Sequence, residues 1–111
     1  MTRVSRRSKA YLLFSTVGSY RKAKKIADIL VRGRLAACVN IIPKVDSVFR
    51  WQGAVDQAVE SLLMIKTELR NLKRVERAIR KHHTYEVPEM VAWPIEWGHK
   101  PYLRWLFGSV D

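Results

Sequence analysis

The segment from Leu35 to Thr67 constrains the fold more than any other part of this chain, because it reads as two long strands joined by a turn of two residues. Leu35 to Ile42 is apolar on both alternating faces, the pattern of a strand central to a sheet. Pro43 has no N–H for a ladder, which predicts a bend or bulge before Val45 to Trp51 resumes. Gln52-Gly53 then reads as a tight turn, since glycine tolerates the positive φ that hairpins demand. Ala54 to Thr67 returns as a long strand whose apolar density rises toward Leu62-Leu63-Met64-Ile65. One end of the hairpin is therefore expected to project from the domain while the other is buried under helices. Long paired strands projecting beyond a small core expose edges, which proteins cover, often by oligomerisation.

The flanking segments supply the rest of the plan. Ala10-Tyr11-Leu12-Leu13-Phe14 is a short apolar run that stops at Gly18-Ser19, where Ser19 can cap a helix running through about Arg32. In that helix Ala23, Ile26, Ala27, Leu30 and Val31 recur at three- and four-residue spacings, giving one buried face, and Gly33 supplies the stop. Leu69, Leu72, Val75 and Ile79 mark the core face of a second helix. Val87 to Ile95 is predicted as a strand, and Tyr102-Leu103-Arg104-Trp105-Leu106 as a short helix after Gly98 whose aromatic residues pack. The order is strand, helix, strand, strand, helix, strand, then a terminal helix. That is the α+β, ferredoxin-like βαββαβ sandwich with a C-terminal helix, an architecture that hosts many unrelated functions.

At 111 residues, 48% hydrophobic and 28% charged, the chain has the composition of one globular domain. Residues 1–9 read as a basic flexible tail and residues 10–111 as the folded domain. No apolar run approaches the roughly 20 residues that cross a bilayer, and the first residues lack the apolar core of a secretory signal, so the expected compartment is the cytoplasm. The single cysteine, Cys38, lies in an apolar run and is expected to behave as a small buried hydrophobe. Net charge is +11 and uneven: eight Lys or Arg residues precede Asp28 with no acid among them, and a second basic run spans Arg70 to Lys81. Such a field favours anions. The helical charges fall around the polar circumference rather than in one stripe, and no aromatic-interleaved RNA-binding signature or zinc-finger spacing accompanies them, which argues for a solvated basic surface over specific nucleic-acid recognition.

Between the second helix and the next strand lies Lys81-His82-His83-Thr84-Tyr85-Glu86-Val87-Pro88-Glu89, which concentrates imidazoles, carboxylates and a phenol in one junction. Loops at such junctions are where proteins place chemistry. Imidazole is the commonest protein ligand for transition metals, but adjacent helical residues point about 100° apart, so His82 and His83 cannot easily chelate one ion together.

Five separated stretches resemble one family. Gly33-Arg34-Leu35-Ala36-Ala37-Cys38-Val39-Asn40-Ile41-Ile42-Pro43, Trp51-Gln52-Gly53 with Glu60, Ile65-Lys66-Thr67, His83-x-Tyr85-Glu86-Val87-Pro88-Glu89 and Tyr102-Leu103-x-Trp105-Leu106 are similar in order and spacing to CutA, the divalent-cation tolerance family. The resemblance covers roughly Ala10 to Leu106. It implies a ferredoxin-like fold assembled as a homotrimer by inter-subunit strand pairing, with an architecture similar to that of the PII signalling proteins. Copper-linked members of the family resemble this chain at His83 and His82, the implied metal ligands, but carry a cysteine where this sequence has Ser15. Thr84 stands where a proline is usual and Ala54 where a lysine is usual. A hydroxyl is a poor ligand for soft copper, so the binding implied is weak.

The other matching polar residues, Trp51, Glu60, Lys66, Tyr85 and Glu89, are expected either to line an inter-subunit cleft or to serve packing, with Glu60 and Lys66 as an interface salt bridge. No nucleophile elbow, phosphate-cradling glycine loop or hydrolase-type metal spacing is present, so the chain is not expected to be an enzyme. The expectation is a trimeric protein of divalent-metal tolerance with no obligatory cofactor, binding copper or another divalent cation weakly, without membrane partners. The alternatives are a PII-like sensor holding a small anionic metabolite in the cleft, or a structural trimeric scaffold.

Overall fold

The elements expected from the sequence form in the expected order in the computed structural model, which describes residues 9–111. The expected basic tail falls outside these residues except for Lys9, whose carbonyl accepts the Leu69 N–H at 2.9 Å. The strands are β1 (Ala10–Val17), β2 (Cys38–Trp51), β3 (Ala54–Glu68) and β4 (Val91–Pro94). The helices are α1 (Tyr20–Arg32), α2 (Leu72–His82) and α3 (Lys100–Gly108), with a 3-10 turn over Leu69–Asn71 leading into α2. One antiparallel sheet carries the strands in the order β2-β3-β1-β4, the ferredoxin-like arrangement.

The end of α1 departs from the sequence expectation by one residue. Ser19 Oγ accepts the Lys22 N–H at 3.2 Å, and Ala23, Ile26 and Leu30 face the core, while Val31 lies outside that face and is exposed. The left-handed residue after the helix is Arg34 (φ 59) rather than Gly33 (φ −79). Arg34 is held there by its own side chain: Nε donates to Asp111 Oδ1 at 2.9 Å and Nη2 to the Gly108 carbonyl at 3.1 Å. The N–H groups of Leu35 and Ala36 both turn back to the Leu30 carbonyl, so these residues finish the helix and β2 starts only at Cys38.

β2 is also an edge strand of the sheet, not a central one, and its burial is correspondingly incomplete, with Ile42 exposed. Cys38 is likewise only half-buried, its thiol 3.6 Å from Asn40 Oδ1. The predicted bulge is present: Ile42 pairs with Leu62 and Val45 with Glu60, so Pro43 and Lys44 oppose Ser61 alone. Ser61 Oγ donates to the Pro43 carbonyl at 2.7 Å and closes the irregularity. At the far end both Gln52 (φ 50) and Gly53 (φ 82) are left-handed, the pairing a type I′ hairpin turn requires.

Leu13, Val17, Leu63 and Ile65 face α1 and α2, where Ile26, Leu30, Val75 and Ile79 close the main core. Each such side chain contributes about 1.5–3 kcal/mol on burial. Leu69 is not part of this face: it sits in the 3-10 turn and is exposed. A second cluster, Ala10, Ala37, Leu106 and Val110, docks α3 and the C-terminus at the closed end of the sheet, with Asn71 Nδ2 donating to the Asp111 carbonyl at 3.1 Å. Beside it Glu68 is buried, with Arg70 Nε 2.9 Å from its Oε2. Desolvation by burial is the largest influence and pushes the Glu68 pKa up, against the opposing charge and hydrogen bonding of Arg70.

β4 is shorter than expected. Residues 87–90 are not paired in the sheet, where Pro88 has no N–H to offer a ladder. The sheet face away from α1 and α2 has no second helical layer over most of its length, and Phe14 and Trp93 meet there at 4.8 Å between ring centres. The outer hairpin extends the chain to 53 × 25 × 22 Å, with a radius of gyration of 14.9 Å against about 13 Å for a compact domain of this length. No described helix is long and apolar enough to cross a membrane.

Candidate functional site

The bulge at Pro43 determines which side chains meet in the outer hairpin. It shifts β2 by one residue, so that Val45, Ser47, Phe49 and Trp51 share a face with Glu60, Ala58, Asp56 and Ala54. This face belongs to the side of the sheet turned away from α1 and α2. The junction after α2 folds across the end of β1 onto the same face and closes a groove of about 890 Å³ between itself and the hairpin.

Four hydrogen bonds pin that junction. His83 Nε2–H donates to the Thr16 carbonyl at 2.7 Å, and His83 Nδ1 accepts the Tyr85 N–H at 3.0 Å, which together define the neutral Nε2–H tautomer. The Tyr85 hydroxyl donates to Glu60 Oε2 at 2.9 Å, and Thr16 Oγ1 lies 3.4 Å from Glu89 Oε1. The His83 and Tyr85 rings pack in a tilted arrangement, 4.6 Å between centres. Tyr85 also passes so close to Gly18 that a Cβ there would lie 3.3 Å from the phenol oxygen, giving the glycine between β1 and α1 a steric role. Glu60 is 7% exposed, and burial together with the carboxylate raises the Tyr85 pKa to about 12, first through desolvation and then through the hydrogen bond and charge of Glu60. The phenol stays a donor at any physiological pH.

The structure brings Trp51, Glu60, Tyr85 and Glu89 into one groove within the chain. Lys66 is not there. It lies six residues from Glu60 along β3, about 20 Å away, with its ammonium 5.7 Å from the Tyr102 ring centre on α3. Within the chain Glu60 and Lys66 cannot pair, and Glu60 bonds Tyr85 instead. Tyr102 and Trp105 of α3 pack on one another at 5.3 Å.

The lining contains the carboxylates Asp56, Glu60, Glu86 and Glu89 and no Lys, Arg or His, while Asp46 borders it from the opposite face of β2. A groove so lined attracts cations and repels the small anion considered above. Sequence reasoning missed Thr16, Asp46, Asp56 and Glu86. Counting pairs outward from the Gln52-Gly53 turn would have placed Asp56 beside Glu60 on one face; nothing local points to Thr16.

The metal expectation meets a specific geometry. Both ring nitrogens of His83 are engaged, so coordination there must displace a hydrogen bond. His82 ends α2 half-buried and takes part in none of the groove's hydrogen bonds. Ser15 is fully buried on the helix-facing side of β1 with its hydroxyl unpartnered. Among the described residues no three His, Cys, Asp or Glu side chains gather closely enough to hold an ion. The side chains do not form a prebuilt tight site.

The CutA1 divalent ion tolerance protein family profile matches residues 11–109. Divalent-cation tolerance protein CutA of Thermus thermophilus is 46% identical over 91 residues, 82% of this chain and 88% of that protein. Protein CutA of Mus musculus is 42% identical over 93 residues, 84% of this chain but 52% of its own, so the chain spans about half the length of that relative. The solved divalent cation tolerance protein (Cut A1) structure from Thermus thermophilus superposes with a TM-score of 0.90 at 41% identity, covering 92% of this chain and 99% of that one.

Proposed function

The chain belongs to the CutA1 divalent ion tolerance protein family, and on that footing we propose that it works as a homotrimer in divalent-cation tolerance, binding copper or a related ion weakly and catalysing no reaction. The observation that carries the assembly is the outer hairpin. It projects with Val48 70% and Val55 65% exposed, beside an uncovered sheet face bearing Phe14, Met64 and Trp93. Identical copies offer both the strand edge and the apolar surface that would cover these. Such a particle would have the PII-like architecture expected above.

Weak binding follows from the donors present. An ion at His82 or His83 has one free imidazole, or one released at the expense of a hydrogen bond, with a hydroxyl rather than a thiolate at residue 15. The cytoplasm is the compartment proposed, in keeping with the unpaired thiol of Cys38. Native mass spectrometry of chelator-treated protein, with and without added Cu²⁺, tests the reading. The expected result is a trimer that takes up copper only at micromolar or higher free ion. A well-folded monomer at micromolar concentration overturns the assembly, and an ion retained through chelation overturns weak binding.

A further inference from the structure

The +11 charge is segregated by the fold. Residues 1–8 carry three arginines, leaving 18 basic and 10 acidic residues, a net +8, in residues 9–111. α1 contributes Arg21, Lys22, Lys24, Lys25 and Arg32 against Asp28, and α2 contributes Lys73, Arg74, Arg77, Arg80 and Lys81 against Glu76. Ten cations less two acids is also +8, so the remainder of residues 9–111 is balanced, eight against eight. All ten helical cations are exposed. Among the described residues only Arg32 of the ten is ion-paired, with Asp28.

Both helices bury their apolar faces against the same side of the sheet, through Ile26 and Leu30 of α1 and Val75 and Ile79 of α2. Their polar faces therefore point the same way and merge into one cationic surface, opposite the carboxylate-lined groove. We infer that this helix layer is a docking surface for the phosphate backbone of duplex nucleic acid, bound without regard to sequence. A surface that serves only solubility intersperses both signs, whereas on these two helices ten cations meet two acids. Half of the ten cations are arginines, whose forked donors match phosphate oxygens.

Two other polyanions fit less well. Single strands are held by stacking on aromatic side chains, and the only aromatic residue on either helix is Tyr20 at the start of α1. Amphipathic helices enter an anionic lipid surface by their apolar faces, which here are closed in the core. The surface proposed for association between copies lies on the outer hairpin and on the sheet face bearing Phe14, Met64 and Trp93, and includes no residue of α1 or α2, so the trimer and the duplex do not compete for the same residues.

Fluorescence anisotropy of the full chain with a labelled duplex of about 20 base pairs tests the proposal. Contact with four phosphates gives a slope of log affinity against log salt of about −3.6, a loss of about 150-fold between 50 and 200 mM salt. Reversing Lys25→Glu with Arg77→Glu should lower affinity at least tenfold and flatten the slope by about 1.8. Reversing Lys100→Glu with Arg104→Glu, an equal change in net charge on α3, should change affinity less than twofold. The neutral pair Lys25→Gln with Arg77→Gln should show the same direction as the helix reversal, guarding against a folding defect. Equal losses from the helix and α3 pairs would mean that net charge alone acts and would overturn the assignment. So would an absence of duplex binding at 50 mM salt, or binding of phosphatidylserine vesicles by the same residues in place of the duplex.

Discussion

The two halves of the β2–β3 hairpin are continuous in backbone and opposite in surroundings. In the inner half Leu63, Ile65 and Thr67 are fully buried beneath α1 and α2, whereas in the outer half Val48, Val55 and Val59 are mostly exposed. Both halves have the same ladder of hydrogen bonds. The ladder thus sets the shape of the hairpin while burial sets its stability, because backbone hydrogen bonds exchange for bonds to water at small net gain. The outer half is consequently the part that another copy can stabilise and the part free to carry polar chemistry.

Truncating one apolar residue in each half tests this division most directly. Leu63→Ala should cost about 2–5 kcal/mol, since a buried leucine leaves a cavity that the surroundings fill only partly. Urea unfolding at fixed protein concentration measures it. An equal cost at the exposed end would refute the division.

Where the junction loop ties the outer half to β1, an intermediate effect is expected. Tyr85→Phe removes the donor to Glu60, whose carboxylate is then buried without its partner, at a cost of about 1–3 kcal/mol. The same residue supplies a pH signature. Its folded pKa is raised to about 12, above the ordinary value of 10.0, so the folded state holds the proton more tightly. The stabilisation is complete below pH 10 and is lost as pH rises toward 12. Unfolding curves of the parent should decline over that interval more steeply than those of Tyr85→Phe; superimposable pH profiles would show that the phenol is not coupled to folding.

At the boundary between the halves, Ser61→Ala leaves the Pro43 carbonyl without its donor and should cost about 1 kcal/mol. Because the bulge decides which face Phe49 and Trp51 occupy, the variant should also alter tryptophan emission from the groove. Unchanged emission and stability would show that Pro43 alone maintains the bulge.

Smallest is Val55→Ala, within about 0.5 kcal/mol for the protomer, as for most exposed positions. Its effect should grow as protein concentration rises if neighbouring copies bury this valine. A stability difference independent of concentration would remove the outer hairpin from the proposed interface.

Much of this is legible in the sequence where the determining interactions are local. The Ser19 cap, the turn at Gln52-Gly53 and the break at Pro43 each act over a few residues, and each is found where the residues indicate. The departures share a cause. Composition favours Gly33 as the left-handed stop, but Arg34 occupies that conformation through contacts with Gly108 and Asp111, more than 70 residues away. The apolar pattern carries the last strand back to Val87, whereas pairing with β1 begins only at Val91, and where a ladder with a distant strand begins is invisible along the chain.

Element order, the hairpin register outward from its turn and the family are all written in the chain's residues, since each follows from short-range stereochemistry and spacing. Three features required the assembled fold: β2 is an edge strand, Lys66 lies apart from Glu60, and both ring nitrogens of His83 are engaged. Folding likewise gathers the excess positive charge on one surface and the groove's carboxylates on another. A side chain's partners depend on which segments the apolar core brings together, and that core is closed by residues from every part of the chain at once.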